Sequence, residues 1–187
     1  MKALVLLMLL SLPPAYVDRD EIGRDARMSV IAGAIAEVSD RASCVGEYAS
    51  KTGCVRIWDD GEKKLAALLV TKGWHESRFA RHVHAGECKP DECDAVVVKG
   101  IVFHRARSPW QLQRTAYSDP EWSTMVGTSF EATRDAAWAA AKVLAEGQRR
   151  CKSARGALSW YGWQRCEASG VGNRLVTYER LMKEGIR

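Results

Sequence analysis

Residues 63–79 read KKLAALLVTKGWHESRF, and the reading of this stretch decides the rest. Leu65, Leu68, Leu69 and Lys72 recur at i, i+3, i+4 and i+7, the spacing of one helix face. The spacing predicts a short, mostly buried helix over 63–72. Gly73 follows where a C-capping glycine belongs, so the helix is expected to stop there. The segment Trp74-His75-Glu76-Ser77 comes next. On this reading Glu76 lies just past an apolar helix, between Trp74 and Phe79. A carboxyl among aromatic rings loses solvation, which favours its protonated form. That is the property a general acid needs.

Outward from this stretch, the flanking sequence is mostly helical. Apolar residues Ile31, Ala34, Ile35 and Val38 predict a helix over 21–38. Residues 43–60 read as an irregular segment, and 81–94 as a polar loop. Residues 95–103, AVVVKGIVF, are β-branched and broken at Lys99-Gly100, which predicts a small hairpin or one kinked strand. Thr128-x-x-Glu131 has the form of a capping box. Behind it, Phe130, Thr133, Ala137, Trp138, Ala141, Leu144 and Ala145 mark one helix face. Further helices are expected over 154–160 and from Asn173, the latter stopping at Gly185. The fold class is α+β, dominated by helix.

The chain has 187 residues, 47% hydrophobic and 27% charged, with a net charge of +5. This is ordinary globular composition, enough for a core without metal support. It excludes a disordered or low-complexity chain. The basic bias is too mild for a nucleic-acid binder, and no nucleic-acid partner is expected. It suits an anionic envelope polymer. Residues 1–15 carry Lys2 and then an apolar run over 3–12, too short to span a bilayer. This fits a signal peptide or short anchor, with cleavage after Ala15; the alternative is a buried N-terminal helix. Export to a periplasm or cell surface, without a stable membrane span, is expected.

Cys44, Cys54, Cys88, Cys93, Cys151 and Cys166 form three sequence-local couples. Behind a signal-like segment they read as disulfides 44–54, 88–93 and 151–166, although sequence alone does not fix the connectivity. The other reading is a zinc site from His82, His84, Cys88 and Cys93. An exported chain would oxidise those thiols, so no metal is expected and the two histidines read as solvent-facing loop residues.

Two further segments join Glu76-Ser77. One is Ser108-Pro109-Trp110-Gln111-Leu112-Gln113; the other is Gly156-Ala157-Leu158-Ser159-Trp160-Tyr161-Gly162. In this order and spacing, over residues 62–165, the chain resembles the lytic transglycosylases, lysozyme-like enzymes that cleave peptidoglycan. Ser108-Pro109 departs from the family's Gly-Leu and Gly162 from its frequent Asn, and loop 81–94 looks like an insertion.

The resemblance implies a lysozyme-like domain over 62–187, preceded by a helix and disulfide-closed segment over 16–61. It implies Glu76 as the acid, cleaving between N-acetylmuramic acid and N-acetylglucosamine. The sugar's own acetamido group would meet the developing charge, and Glu76 would then take the C6 hydroxyl proton, leaving a 1,6-anhydro end. Ser77, Gln111 and Tyr161 would bind or orient substrate. Trp110, Trp160 and Trp163 flank these motifs and offer rings to sugar faces; Trp138 reads as core. No cofactor is implied, peptidoglycan strands are the expected partner, and a monomer is expected. Two alternatives stay open. One is a hydrolytic lysozyme using a second carboxylate such as Asp91, Glu92 or Asp94. The other is a non-catalytic carbohydrate-binding protein on the same scaffold. A small disulfide-stapled interaction protein is a third reading.

Overall fold

The computed structural model describes residues 1–41, 61–87, 95–104, 106–113 and 116–183. Helices dominate: α1 Lys2–Leu10, α2 Arg24–Arg41, α3 Gly61–Ser77, α4 Arg81–Ala85, α5 Asp119–Thr124, α6 Phe130–Cys151, α7 Ala154–Trp163 and α8 Gly172–Lys183. Two small antiparallel pairs lie between α4 and α5. The chain is therefore predominantly helical with a minor β component.

The core is one continuous apolar cluster. Ile31 and Ile35 from α2, Leu65, Leu68 and Leu69 from α3, Leu144 from α6, Leu158 from α7 and Leu181 from α8 are all at most 1% exposed. The described part of 16–61 thus shares its core with the segment expected to be the catalytic domain, because α2 packs on both α3 and α6. Small residues let these helices approach. Gly33 leaves room for the Phe130 ring, whose nearest atom would stand 3.2 Å from an added Cβ. Gly147 lies so close to Ala157 and Trp160 that a Cβ would come within 2.9 Å of both.

Several sequence expectations shift. The N-terminal run forms α1, and Val5, Met8, Leu9 and Leu12 are buried against the core. The Pro13 carbonyl accepts from Trp74 Nε1 at 3.1 Å. Helix α3 does not stop at Gly73 but runs to Ser77. Glycine serves there because the Phe79 ring fills the space: a Cβ would lie 2.4 Å from Phe79 Cζ. The stop comes from Arg78 and Phe79, both with φ of 52°. Helix α6 is capped by Ser129, whose Oγ accepts from Ala132 N, not by Thr128. The capping box is instead Ser118–Glu121, at the start of α5.

The hairpin expected over 95–103 forms as β1 Ala95–Val98 and β2 Ile101–His104, with Val98 opposite Ile101. Lys99 and Gly100 have φ of 51° and 78°, as a two-residue hairpin turn with both central residues left-handed requires. A second pair, β3 Ala106–Arg107 with β4 Leu112–Gln113, clasps the turn at 108–111. Residues 81–85, expected as loop, form α4, and His84 is 1% exposed rather than facing solvent. The apolar body of the segment drives this: Val83 packs against Ala15 and Ala80. Cys151 and Cys166 are disulfide-bonded. The couples 44–54 and 88–93, Trp58, Asp91, Glu92, Asp94 and Gly185 lie outside the described residues. Among the described residues, no helix is long and apolar enough to cross a membrane.

Candidate active site

Glu76 sits in the last turn of α3, and the elements around it are fixed by buried polar contacts. Ser77 Oγ lies 3.1 Å from Gly73 O and 2.8 Å from Pro109 O, and accepts from Phe79 N at 3.1 Å. One hydroxyl thus closes the end of α3 and ties it to the turn at 108–111. On the other side, Arg27 Nη1 donates to Phe79 O at 2.5 Å. Arg27 is itself held by Glu21 and Asp18, at 2.5 and 3.3 Å, all three side chains being under 10% exposed. The hydrogen bond from Arg27 holds the Glu21 carboxyl below its usual range. Asp18 Oδ2 also accepts from Arg81 N at 2.7 Å. The strand-like turn after Glu76 is therefore gripped from both faces.

Glu76 does not lie among aromatic rings. Its Oε1 accepts a short hydrogen bond from Lys72 Nζ, one helical turn back, and another from Arg174 Nη2 on α8 at 3.0 Å. The Lys72 side chain is wholly buried, and those of Arg174 and Glu76 are 16% and 22% exposed. Burial pushes the Lys72 ammonium down to about 8, against the pull of the Glu76 carboxylate. The ammonium also lies 4.3 Å from the centre of the Tyr161 ring. His75 Nε2 lies 3.0 Å from Thr177 Oγ1, whose own proton goes to Asn173 O at 3.1 Å. Nε2 is thus the protonated nitrogen of His75. Burial, then Arg174 and Lys72, push this ring down to about 4, so it is neutral near pH 7.

A cleft of about 310 Å³ opens beside this cluster. Its wall includes Lys72 and Glu76 from α3, Gln111 and Gln113 from the clasped turn, and Tyr161 and Gly162 from α7. Three residues singled out from sequence, Glu76, Gln111 and Tyr161, thus meet at one place. Tyr161 donates its hydroxyl to Trp110 O at 2.9 Å. Burial, then coupling to the Tyr117 phenol and the Glu76 carboxylate, hold its phenol well above the ordinary value. Gln111 has φ of 49°, and its side-chain amide donates to Ser108 O at 3.1 Å. The turn is thereby closed on itself, with Gln111 on the cleft wall.

Other expected substrate contacts are not there. Ser77 is spent on backbone carbonyls and does not line the cleft. Trp110 is 0% exposed, donates Nε1 to Leu69 O at 2.9 Å and packs edge-on against Phe79; it is core, not a sugar platform. Trp160 turns toward α6, beneath the Arg150 guanidinium at 4.7 Å. Trp163 is 37% exposed, but Arg174 covers its ring at 4.5 Å. Trp138, read as core, is partly buried in a groove with Glu37, Arg41, Arg134 and Asp135. Trp122 is buried and stacks on Tyr117.

The sequence reading missed Lys72 and Arg174. Lys72 carried a signal, since Lys and Glu four apart on a helix face one another. Arg174 is 98 residues from Glu76 in the chain, and no local pattern reaches that far. Of the residues proposed for zinc, His84 Nε2 is bonded to Thr133 Oγ1 at 2.8 Å, and the two cysteines lie outside the described residues. Among the described residues, no three His, Cys, Asp or Glu side chains gather as a metal ion requires. No protein-family model, no curated protein and no solved structure matches this chain.

Proposed function

We propose that the chain is a peptidoglycan-cleaving enzyme of the lytic transglycosylase type with a lysozyme-like fold, exported to a periplasm or cell surface. The observation that carries this reading is the convergence of Glu76, Gln111 and Tyr161, from three separate segments, on one cleft. Among the described residues lining it, Glu76 is the one carboxylate. A substrate-assisted reaction needs only one, because the acetamido group of the sugar meets the charge that a second carboxylate would otherwise meet.

In this reaction Glu76 protonates the oxygen bridging N-acetylmuramic acid and N-acetylglucosamine. As a carboxylate it then takes the proton of the C6 hydroxyl, which attacks the anomeric carbon and leaves a 1,6-anhydro ring. Lys72 and Arg174 hold the Glu76 side chain in place at the cleft. The amides of Gln111 and Gln113 supply paired donors and acceptors for sugar hydroxyls. Tyr161 acts on the turn rather than on substrate, through the Trp110 carbonyl.

The test is product analysis of purified peptidoglycan by mass spectrometry. Anhydro-muropeptides are the expected product. Reducing ends would mean hydrolysis, and unaltered strands would remove the enzyme reading. A second reading, glycan binding without cleavage, is favoured by one observation: both cations bond Oε1 of the proposed acid. Strands that are retained by the protein but never cut would select it.

A further inference from the structure

We infer that Lys72 and Arg174 form a seat for a carboxylate carried by the substrate, so that the cleft selects anionic glycan strands. This rests on the reading of the cleft as a glycan-cleaving site. Two cations share one carboxylate oxygen there, so the cluster carries one positive charge in excess. His75 adds none, being neutral and bonded to Thr177. An excess cation in a mostly buried place is costly without an anionic partner.

The Arg174 guanidinium has unused capacity. Its Nε is buried and has no hydrogen-bond partner among the described residues. A guanidinium fork suits the two oxygens of a carboxylate better than the single oxygen it now meets. Stacking on Trp163 holds the guanidinium in place. Gly162 gives the approach. It lines the cleft, and a Cβ there would sit 3.6 Å from Arg174 Nη1 and 3.7 Å from Lys72 Nζ. Any longer side chain at 162 would grow onto the pair; with glycine there, Lys72 lines the cleft and Arg174 stands directly behind Gly162.

An incoming carboxylate would compete with Glu76 for the same donors. As it takes them, the Glu76 side chain is released from Lys72 and Arg174.

The experiment compares two substrates with the intact protein. One is soluble peptidoglycan strands with free carboxylates; the other is the same strands with the carboxylates converted to methylamides. The expected result is a KM about tenfold lower for the anionic strands, the scale of one charge-assisted hydrogen bond. Arg174→Gln should remove that preference, and Arg174→Lys should keep part of it. Equal KM for the two strands in the wild-type protein overturns the seat, and so does a preference that survives Arg174→Gln in a folded variant. Cleavage without discrimination removes the seat alone and leaves the proposed function standing. Tighter retention of anionic strands without cleavage supports the seat and removes the enzyme reading. Failure to bind or cut either strand removes both.

Discussion

Tyr161 donates its hydroxyl to the backbone carbonyl of Trp110, 2.9 Å away, and so fastens α7 to the turn that presents Gln111. The bond joins two motif segments 51 residues apart. The resemblance implied that this tyrosine binds or orients substrate. Its ring meets Lys72 and its hydroxyl holds a backbone, so it positions the site without touching Glu76 through a hydrogen bond.

Tyr161→Phe tests that role. The ring and its contact with Lys72 remain, while the Trp110 carbonyl loses a donor. The expected cost is about 1 kcal/mol in stability. Turnover should fall further than stability alone explains, because Gln111 follows the freed carbonyl directly. A calorimetric melt and the turnover number of the same preparation separate the two. An unchanged melt with unchanged turnover would leave the hydroxyl without a role.

Gly73→Ala probes the close approach of α3 and Phe79. In a helix interior this change ordinarily stabilises by about 1 kcal/mol. Here the new methyl would lie 2.4 Å from Phe79 Cζ and 3.3 Å from Trp110 Nε1. Phe79 cannot retreat freely, since Arg27 holds its carbonyl and Trp110 flanks its ring. Overpacking of this kind costs about 1–3 kcal/mol. Denaturant melts should show the net loss, and a gain in stability would mean that Phe79 moves.

The acid side of the stability curve should be set by His84 together with His75, whose ring is likewise pushed down to about 4. Thr133 gives its proton to Ser129 O at 2.7 Å, so its Oγ1 accepts from His84 Nε2–H. Nδ1 is then the bare nitrogen, and it is buried without a partner among the described residues. Burial, then Arg27, push this ring from 6.5 down to about 4, with Glu21 opposing. The unfolded chain therefore binds a proton that the folded chain refuses between those values. Stability is full above about 6.5, falls as pH drops and has lost this contribution by about 4, worth about 3 kcal/mol. Melts across pH 4 to 7 should show that slope, and it should become shallower in His84→Gln, with the His75 share remaining.

The elements most readable from sequence are those set by local pattern. The α6 face, the Lys99-Gly100 hairpin and the pairing of Cys151 with Cys166 all follow from neighbours in the chain. Gly73 was misread because glycine has two uses, ending a helix and admitting a neighbour, and only the fold shows Phe79 arriving. The run at 3–12 packs on α2, a contact that no local pattern shows. An apolar segment reads the same whether it meets a membrane or the α2 face. His84 was placed in solvent because its partner Thr133 lies 49 residues on. The cleft was legible as three motifs, while its charge was not, because Arg174 comes from α8 and Trp163 supports it from α7.

The Cys151–Cys166 disulfide should matter to the cleft as well as to stability. It closes a loop with a sequence separation of 15 that contains all of α7, including Tyr161 and Gly162. Loop closure on that scale contributes about 3 kcal/mol. Reduction should lower the melting temperature and raise KM while Glu76 stays in place on α3. A reduced protein with unchanged melting would mean that packing of α7 on α6 suffices alone.

Replacements at Glu76 separate chemistry from charge. Glu76→Gln keeps an oxygen that can accept from Lys72 and Arg174, so the fold should hold, with a modest loss from the missing charge. The amide has no acidic proton to give the leaving oxygen, and loss of general acid catalysis is worth about 10²–10⁴ in rate. Glu76→Ala removes the acceptor as well. Lys72, wholly buried, and Arg174 then face each other without an anion between them. Stranding buried charge in this way costs about 3 kcal/mol. Two readouts are therefore expected to split: both variants lose lysis of purified peptidoglycan, and only the alanine variant loses much stability. Added salt should recover part of the alanine variant's loss, because a bound anion can stand between the cations. Near-normal lysis by the glutamine variant would move catalysis to another residue. Equal destabilisation of both variants would instead make Glu76 a structural counter-ion to Lys72 and Arg174, and the enzyme reading would lose its acid.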